Sequence, residues 1–311
     1  MTETTPIDCD RRTPRANHFD LFRAMNVPWK GCVEARPYPL DMTDDPPSLA
    51  DPDTFFVPYF WPDERDDKNT VRNNYVDDMP SGTRPSWVKN GDWFGLRRAW
   101  VWKYNAGAPL DLSDIANRPN MLMPRGPNLA CPNPIVPLTN SRDTLLSAAD
   151  ELVAWGGSGT NIALGLAWAW RMISSNFVSE ALPNDPDSRK FLILMTDGFN
   201  DVVDQDNELR SDYTGTGYAQ RQRLGAWQRH RITEELDKRT AQVCERVKDQ
   251  DIEIFTVLYD PFGYDDTSGV EALLSRCATT NRHVFQASTR DDLIAAFKRI
   301  GNQINALRIS R

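Results

Sequence analysis

The stretch KFLILMTDG, residues 190–198, decides the fold because it joins a continuous apolar run to a turn sequence, Thr-Asp-Gly. A short apolar run bounded by turn residues predicts a β-strand that is buried on both faces. IEIFTVLYD (252–260) repeats the pattern, and HVFQA (283–287) predicts a shorter strand. Strands that read as apolar throughout are typical of parallel sheets.

Helical patterns lie between and after these strands. Apolar residues at helical spacing predict helices over 161–174 (NIALGLAWAWRMIS), over 268–278 and over a long segment that ends near Gln250. A last helix, 291–307, is predicted to bury one face, which is formed by Leu293, Ala296, Phe297, Ile300 and Ile304. Strands that alternate with helices predict an α/β fold with a doubly wound, mostly parallel sheet and helices on both faces.

Two further helical features precede the first strand. TLLSAADELVAWG (144–156) is predicted to form a helix with one apolar stripe, made of Leu145, Ala148, Ala149 and Leu152. In the helix over 161–174, Trp168 and Trp170 cannot both face the same way. One of these two tryptophans is therefore expected to contact the first half of the chain.

The first half has a different composition from the second. Of the 22 prolines, 19 fall in residues 1–140, as do six of the ten tryptophans. Proline removes a hydrogen-bond donor and restricts its neighbour, so only short strands are expected here, for example TFFVPYFW (54–61) and RRAWVWKY (97–104). We predict a Pro/Trp-rich structured insertion over 1–140 and the α/β part over 141–311; the alternative is a separate aromatic-lined binding module.

Composition excludes several classes of protein. The net charge is −8 and no long basic run occurs, which disfavours nucleic-acid binding. No apolar run approaches the roughly 18 residues of a membrane span. The first 20 residues also lack the apolar core of a secretory signal.

Two polar motifs are candidates for a binding site. Asp197 directly follows the apolar strand, and Thr160 ends the sequence GGSGT (156–160) before a predicted helix. Ligands of open parallel sheets bind at the carboxyl ends of strands. Hydroxyl and carboxylate oxygens suit a hard cation such as Mg²⁺. Each motif alone also fits an ordinary turn or helix cap.

Taken together and in this order, the motifs resemble a von Willebrand factor A domain. The resemblance narrows to the TadG-like proteins of the tight-adherence (Flp) pilus-assembly system. The residues that carry it are VPWKGCVEARPYPLDMTDDPP (27–47), DTFFVPYFWPDE (53–64), GGSGTNIALGLAWAWRMIS (156–174), LMTDG (194–198), RTAQVCERVK (239–248), LLSRCAT (273–279) and the ending AFKRIGNQINALRISR (296–311). They span nearly the whole chain.

The resemblance implies a function and a metal site. A family member is expected to be a non-enzymatic envelope protein on the periplasmic side of the bacterial inner membrane, in contact with pilus or secretion-system proteins. Its metal-ion-dependent adhesion site uses a DxSxS motif, a Thr and an Asp. Thr160 and Asp197 match the last two elements and would be ligands of Mg²⁺.

This chain departs from the family pattern at its beginning. The family's N-terminal membrane helix and DxSxS strand have no counterpart in it, so we expect the C-terminal part of a TadG-like protein with an incomplete A domain. Thr160 and Asp197 alone are not expected to hold Mg²⁺ tightly, since this ion sheds its waters reluctantly. The alternatives are a secreted metal-dependent hydrolase that uses Asp197 or Ser158, and a nonfunctional truncated remnant.

The cysteines suggest two disulfides. Cys244 and Cys277 lie on predicted helices that flank one strand, and Cys32 and Cys131 bracket the proline-rich half. Such bridges would suit an oxidising periplasm, and Cys9 would remain unpaired. The alternative is that the cysteines are small buried apolar groups in a reducing cytosol.

Overall fold

The computed structural model describes residues 17–65, 72–76, 101–104, 125–153, 159–183, 188–203, 208–263 and 266–309. Its helices are α1 (His18–Ala24), α2 (Arg142–Asp150), α3 (Ile162–Ile173), α4 (Arg229–Asp249), α5 (Ser268–Cys277) and α6 (Arg290–Ile309). Its strands are β1 (Phe191–Thr196), β2 (Glu253–Tyr259) and β3 (Val284–Ala287). Short 3₁₀ helices cover Leu40–Met42, Pro52–Thr54, Val101–Tyr104, Ala219–Arg221 and Asn281–His283. Within these ranges no helix combines the length and the apolar character that a bilayer crossing requires.

The three strands form one parallel sheet in the order β1–β2–β3. Phe191 lies opposite Glu253 at the start of the β1–β2 pairing, and Thr256 lies opposite Val284 where β3 begins. Each of the three strands predicted in the second half is present, and helices connect them. The chain therefore has an α/β architecture with a small parallel sheet.

One face of the sheet packs against α3, α4 and α5. Leu192 and Ile254 from the strands form a cluster with Trp170 of α3 and Val243 of α4. Leu274 of α5 extends the packing on the same face. Burying one aliphatic side chain stabilises the fold by about 1.5–3 kcal/mol. The packing on this face therefore contributes much of the stability of the core.

The opposite face packs against α6. Phe255 and Val257 of β2 and Phe285 of β3 form a cluster with Ala296 and Ile300 of the helix. The predicted apolar face of the last helix is thus confirmed at these two helical positions. Helices cover both faces of the sheet, as the alternating pattern predicts.

The outer strand and one helical residue contradict the predictions of burial. Ile193 is 41% exposed, Met195 is 49% exposed and Phe297 of α6 is 41% exposed. The prediction that 190–198 is buried on both faces is therefore wrong. Among the described residues β1 pairs with β2 alone, and α6 packs mainly on β2 and β3. The outward face of β1 thus remains open to solvent.

The helix predicted over 144–156 is shorter and less buried than expected. It runs from Arg142 to Asp150, and its capping residue Ser141 accepts a hydrogen bond from the backbone of Thr144. Leu145 is 48% exposed and Leu152, beyond the helix, is 71% exposed. The stripe is therefore not a core face in the described part of the chain. Helical periodicity gives the helix but does not supply a partner for it.

The prediction of a strand over 54–61 is wrong. This segment makes only an isolated antiparallel bridge, between Val33 and Pro58. Pro58 has no N–H to donate, so a ladder cannot continue through it. Two backbone hydrogen bonds flank the bridge, and Trp61 then donates to the carbonyl of Pro127 instead. Of the strand predicted over 97–104, residues 101–104 form a 3₁₀ helix and residues 97–100 lie outside the described ranges.

Aromatic residues join the first half of the chain to the second. Tyr59 and Trp61 are buried with Leu129 against Tyr213 and Tyr218, which lie in the loop that follows β1. The rings of Tyr213 and Tyr218 meet edge to face at 4.9 Å. Residues on both sides of position 140 therefore share one apolar cluster.

The segment 36–54 is held on α3 by a buried arginine. Arg171 is 1% exposed and donates to the carbonyls of Thr43 at 2.9 Å, Leu40 at 3.1 Å and Asp41 at 2.8 Å. Burial lowers the pKa of its guanidinium to about 10. The peptide carbonyls of this irregular segment are thus satisfied by a helix side chain rather than by a sheet.

Trp168 and Trp170 point to different partners, as their spacing on one helix predicts. Trp170 is 2% exposed in the sheet-facing core and donates to Gln250 at 3.0 Å. Trp168 packs instead against Phe56 of the first half, with ring centroids 4.9 Å apart. The expected contact between this helix and the first half is confirmed.

A buried ion pair lies inside the first half. The ammonium of Lys103 lies 2.6 Å from a carboxylate oxygen of Asp63, and both side chains are 0% exposed. The other carboxylate oxygen accepts the backbone N–H groups of Tyr75 at 2.6 Å and Val76 at 2.8 Å. The Asp63 carboxylate therefore joins the backbone of residues 75–76 to the side chain of Lys103.

Candidate functional site

The two motifs singled out in the sequence meet at the carboxyl end of β1. Thr160, just before α3, and Asp201, in the loop after β1, exchange two backbone hydrogen bonds, of 2.8 and 2.9 Å. Gly159 makes this approach feasible, since its φ is +81° and a Cβ there would lie 2.4 Å from the carbonyl oxygen of Asp201. The glycine is thus required by a close contact of two backbones.

Two asparagines cap α3 at this junction. Asn161 accepts a hydrogen bond from the backbone of Leu164 at 2.9 Å, and Asn200 accepts one from the backbone of Ile162 at 2.7 Å. Asn200 is fully buried and donates to Asp237 of α4 at 2.8 Å. Burial raises the pKa of the Asp237 carboxyl, and this hydrogen bond opposes the rise. Asn200 therefore couples the strand end to both helices.

Sequence reasoning missed Asn200. The residue follows Thr-Asp-Gly-Phe directly, and a polar residue there reads as part of a solvated loop. A single sequence carries no sign that this side chain turns inward to a helix N-terminus. Its burial becomes visible only when α3, α4 and the loop are brought together.

Thr160 and Asp197 lie on the two joined loops, and both offer oxygen atoms. The Thr160 side chain is half-buried, and its hydroxyl makes no hydrogen bond to the described residues. Asp197 is exposed directly after β1. The carboxylate of Asp201 is engaged by Arg229 in two hydrogen bonds, at 2.7 and 2.6 Å. Within the described parts of these loops, the Thr160 hydroxyl and the Asp197 carboxylate are therefore candidate ligand oxygens that no arginine engages.

These two donors do not by themselves fit a resident Mg²⁺ ion. In the described ranges no three or more His, Cys, Asp or Glu side chains are grouped so that they could hold a metal. Mg²⁺ requires six oxygens in near-octahedral geometry, so most positions would remain with water. The local chemistry suits hydrogen bonding at least as well as metal binding.

Both predicted cysteine pairs are disulfide-bonded in the structure. Cys32 joins Cys131 across 99 residues and Cys244 joins Cys277 across 33 residues. The first bridge lies beside Thr160, and the second ties α4 to α5. Each closes a long loop, which stabilises the fold by roughly 2–4 kcal/mol when the bridge is unstrained. Cys9 lies outside the described residues.

Of the two residues named for a hydrolase, Asp197 is exposed after β1 and Ser158 lies outside the described residues, so the hydrolase alternative stays a prediction. The imidazole of His18 lies 2.5 Å from the carbonyl oxygen of Pro58, and His283 packs on Phe255 with ring centroids 4.3 Å apart. Burial lowers the pKa of His283. These two histidines are engaged in packing and in a backbone contact rather than beside a nucleophile.

The fold and the site define a small α/β unit with a parallel sheet and a polar junction at the carboxyl end of its outer strand. No protein-family model matches the chain, and no curated protein matches it. The pilus adhesin SpaC from Lactobacillus rhamnosus GG is similar in structure over 53% of this chain, at 15% sequence identity and a TM-score of 0.33. The match spans 22% of the adhesin, so this chain corresponds to about a fifth of its length. A likeness of this size does not place the chain in a family.

Proposed function

We propose that this chain is a non-enzymatic component of the bacterial envelope that binds other proteins in Flp/Tad pilus assembly. The observation that carries the protein-binding part is a pair of exposed phenylalanines at one end of the sheet. Phe199 is 47% exposed in the loop after β1, and Phe262 is 74% exposed in the loop after β2. The pilus assignment itself comes from the TadG-like sequence motifs.

The placement of these rings favours an interface. Parallel neighbouring strands end at the same edge of a sheet, so the loops that carry Phe199 and Phe262 leave from one side of the molecule. Large aromatic side chains are enriched in the buried centres of protein interfaces, where they act as anchors. Asp197 lies two residues before Phe199 and adds a charge at the same edge. We call this set, Asp197, Phe199 and Phe262, the carboxyl-end face.

The architecture supports the finer proposal of an incomplete von Willebrand factor A domain. The order β1–β2–β3, with helices on both faces, is compatible with the later strands of such a domain. In the TadG-like proteins that this sequence resembles, the strand with the DxSxS motif precedes the part that corresponds to β1–β3. Among the described residues β1 pairs with β2 alone, and we propose that such a strand pairs with the other edge of β1.

The compartment follows from the same proposal. Two disulfides suit an oxidising environment such as the periplasm, since reducing cytosol keeps most thiols free. We therefore propose that the chain works on the periplasmic side of the inner membrane. Its partners would be pilus or secretion-system proteins.

A photo-crosslinker at position 199 tests the interface. With p-benzoylphenylalanine in place of Phe199, illumination of the source bacterium should give covalent adducts with pilus-assembly proteins, identified by mass spectrometry. The matched control places the same crosslinker at Glu234, which is exposed on α4. Adducts from both positions alike, or adducts only with proteins unrelated to pili, would contradict the proposal.

Mg²⁺ at Thr160 and Asp197 remains part of the proposal only with further ligands from outside the described residues. The chain alone is expected to bind Mg²⁺ more weakly than about 1 mM, because two protein oxygens replace few of the ion's waters. Isothermal titration with MgCl₂ measures this, with Asp197→Ala as the variant and Asp249→Ala, on α4, as the control. Tighter binding that Asp197→Ala removes would show that the site is already complete in this chain.

A further inference from the structure

A cavity of about 230 Å³ lies next to Thr160, between the two halves of the chain. One wall is the Cys32–Cys131 disulfide of the first half, and the other is the beginning of α3 with the loop after β1. Its remaining walls are mostly apolar, and include Val33, Tyr59, Leu164 and Leu236. It therefore combines an apolar interior with a position at the polar junction.

Two of the residues that line this cavity carry a side-chain group with no hydrogen-bond partner in the described part of the chain. These are the hydroxyl of Thr160 and the side-chain NH₂ of Asn161, whose carbonyl oxygen caps α3. The other polar side chains of the lining residues are hydrogen-bonded, including the Tyr59 hydroxyl, which donates to the carbonyl of Tyr213. Thr214 and Thr216 bond to each other at 2.9 Å, and Asp201 bonds to Arg229. One hydroxyl and one amide thus remain for a ligand.

The charge at the cavity selects against ions. Asp201 is the acidic residue on its wall, and Arg229 engages both of its carboxylate oxygens. A charged ligand would have to lose its hydration without gaining an unpaired opposite charge in return. The lining therefore favours a neutral molecule.

We propose that this cavity binds one neutral aromatic group of phenol size, with its hydroxyl at Thr160 and Asn161. An apolar cavity of about 150 Å³ is large enough to hold benzene, so 230 Å³ accommodates a substituted ring. Pockets with apolar walls and a few convergent polar groups are typical ligand sites. The sulfurs of Cys32–Cys131 and the ring of Tyr59 provide favourable contacts for an aromatic face. The proposal does not depend on the pilus assignment.

The test titrates p-cresol and toluene into the intact chain, monitored by NMR. Wild type should bind p-cresol saturably, and Thr160→Val should weaken that binding about tenfold, the value of one lost hydrogen bond. Toluene binding should be unchanged by Thr160→Val, because toluene has no hydroxyl. Thr233→Val on α4, away from the cavity, is the matched control and should change neither ligand. Absence of saturable p-cresol binding, or an equal loss for both ligands in Thr160→Val, would overturn the proposal.

A second variant locates the ligand. Val33→Phe adds a ring to the cavity wall and should abolish binding of both ligands while the thermal melt remains cooperative. Binding by Val33→Phe as by wild type would overturn the proposal. If the variant does not fold, nuclear Overhauser contacts in wild type between p-cresol and the methyl groups of Val33 and Thr160 locate the ligand instead. Absence of these contacts while p-cresol is bound would likewise overturn the proposal.

The two sources of a phenol group give different results in the same assay. N-acetyl-tyrosinamide and a tyrosine-centred tripeptide are compared with p-cresol. Tighter binding of the peptide indicates a tyrosine side chain of a protein partner. Exclusion of the peptide with retained p-cresol binding indicates a free small phenol.

Discussion

Replacing Lys103 by methionine should lower the free energy of unfolding at pH 7 by about 3–5 kcal/mol. The ammonium lies 2.6 Å from Asp63, and both side chains are fully buried. Methionine fills a similar volume but leaves a carboxylate in the interior without its counter-charge. The loss should therefore exceed that from any exposed lysine, such as Lys238.

The same variant should become more sensitive to pH. Burial raises the pKa of Asp63 from 3.8 to about 6 even though Lys103 opposes the rise, so removing Lys103 raises it further. A carboxyl whose pKa is higher in the folded than in the unfolded state holds its proton more tightly when folded. Its contribution to stability is then greatest below the unfolded pKa and is lost as pH rises through the folded pKa. The destabilisation should thus be smaller at pH 4 than at pH 7.

Urea unfolding at pH 4 and pH 7 measures both effects. The double variant Lys103→Met with Asp63→Asn removes both charges and should recover part of the loss at pH 7, because asparagine can still accept the two backbone hydrogen bonds. Lys238→Met is the control and should change stability by less than about 0.5 kcal/mol. A loss of equal size at the two pH values would show that lost packing, and not the buried carboxylate, accounts for the effect.

Periodicity was enough to predict the elements of the second half but not all of their surroundings. The apolar runs at 190–198 and 252–260 both become strands, yet β2 is central and buried whereas Ile193 and Met195 of β1 are exposed. The two sequences differ little, but their burial differs. Burial depends on the order of the strands, which is a property of the whole sheet and not of one strand's sequence. Leu145 of α2 is exposed for a similar reason: a helical pattern does not reveal which other element covers the apolar face of the helix.

The site was predictable in part. Thr160 and Asp197 could be singled out because each stands at the junction of an apolar element and a turn. The structure places them on two loops joined by hydrogen bonds, and their role as a site stays a prediction. Asn200 and the cavity beside Cys32–Cys131 could not be found, because they arise from contacts between residues distant in sequence. In the described part of the first half, prolines correctly excluded long strands, but some of the arginines that satisfy its carbonyls, such as Arg171 and Arg246, lie on α3 and α4.

Replacing Arg171 by methionine should lower the free energy of unfolding by about 3–4 kcal/mol and release the segment 36–54 from α3. The guanidinium donates to three carbonyls of that segment, and a hydrogen bond from a charged donor is worth about 1.5–3 kcal/mol when its loss leaves a buried acceptor unpaired. Arg36 also reaches the carbonyls of Leu40 and Thr43, so the three losses do not add in full. Within the described residues the carbonyl of Asp41 accepts no hydrogen bond from a second arginine, and it should account for much of the effect.

Chemical unfolding and limited proteolysis together separate this local role from a general loss of packing. Arg171→Met should be cleaved within 36–54 under conditions in which wild type is resistant, since the segment owes its order to side-chain donors rather than to a sheet. Arg171→Lys should be nearly as unstable, because an ammonium cannot span three carbonyls as the planar guanidinium does. Arg231→Met, on the exposed side of α4, is the matched control and should leave both readouts unchanged. If Arg171→Met loses stability while 36–54 stays protected, the arginine acts through the packing of α3 on the sheet, and the first half is held by its aromatic cluster and disulfide instead.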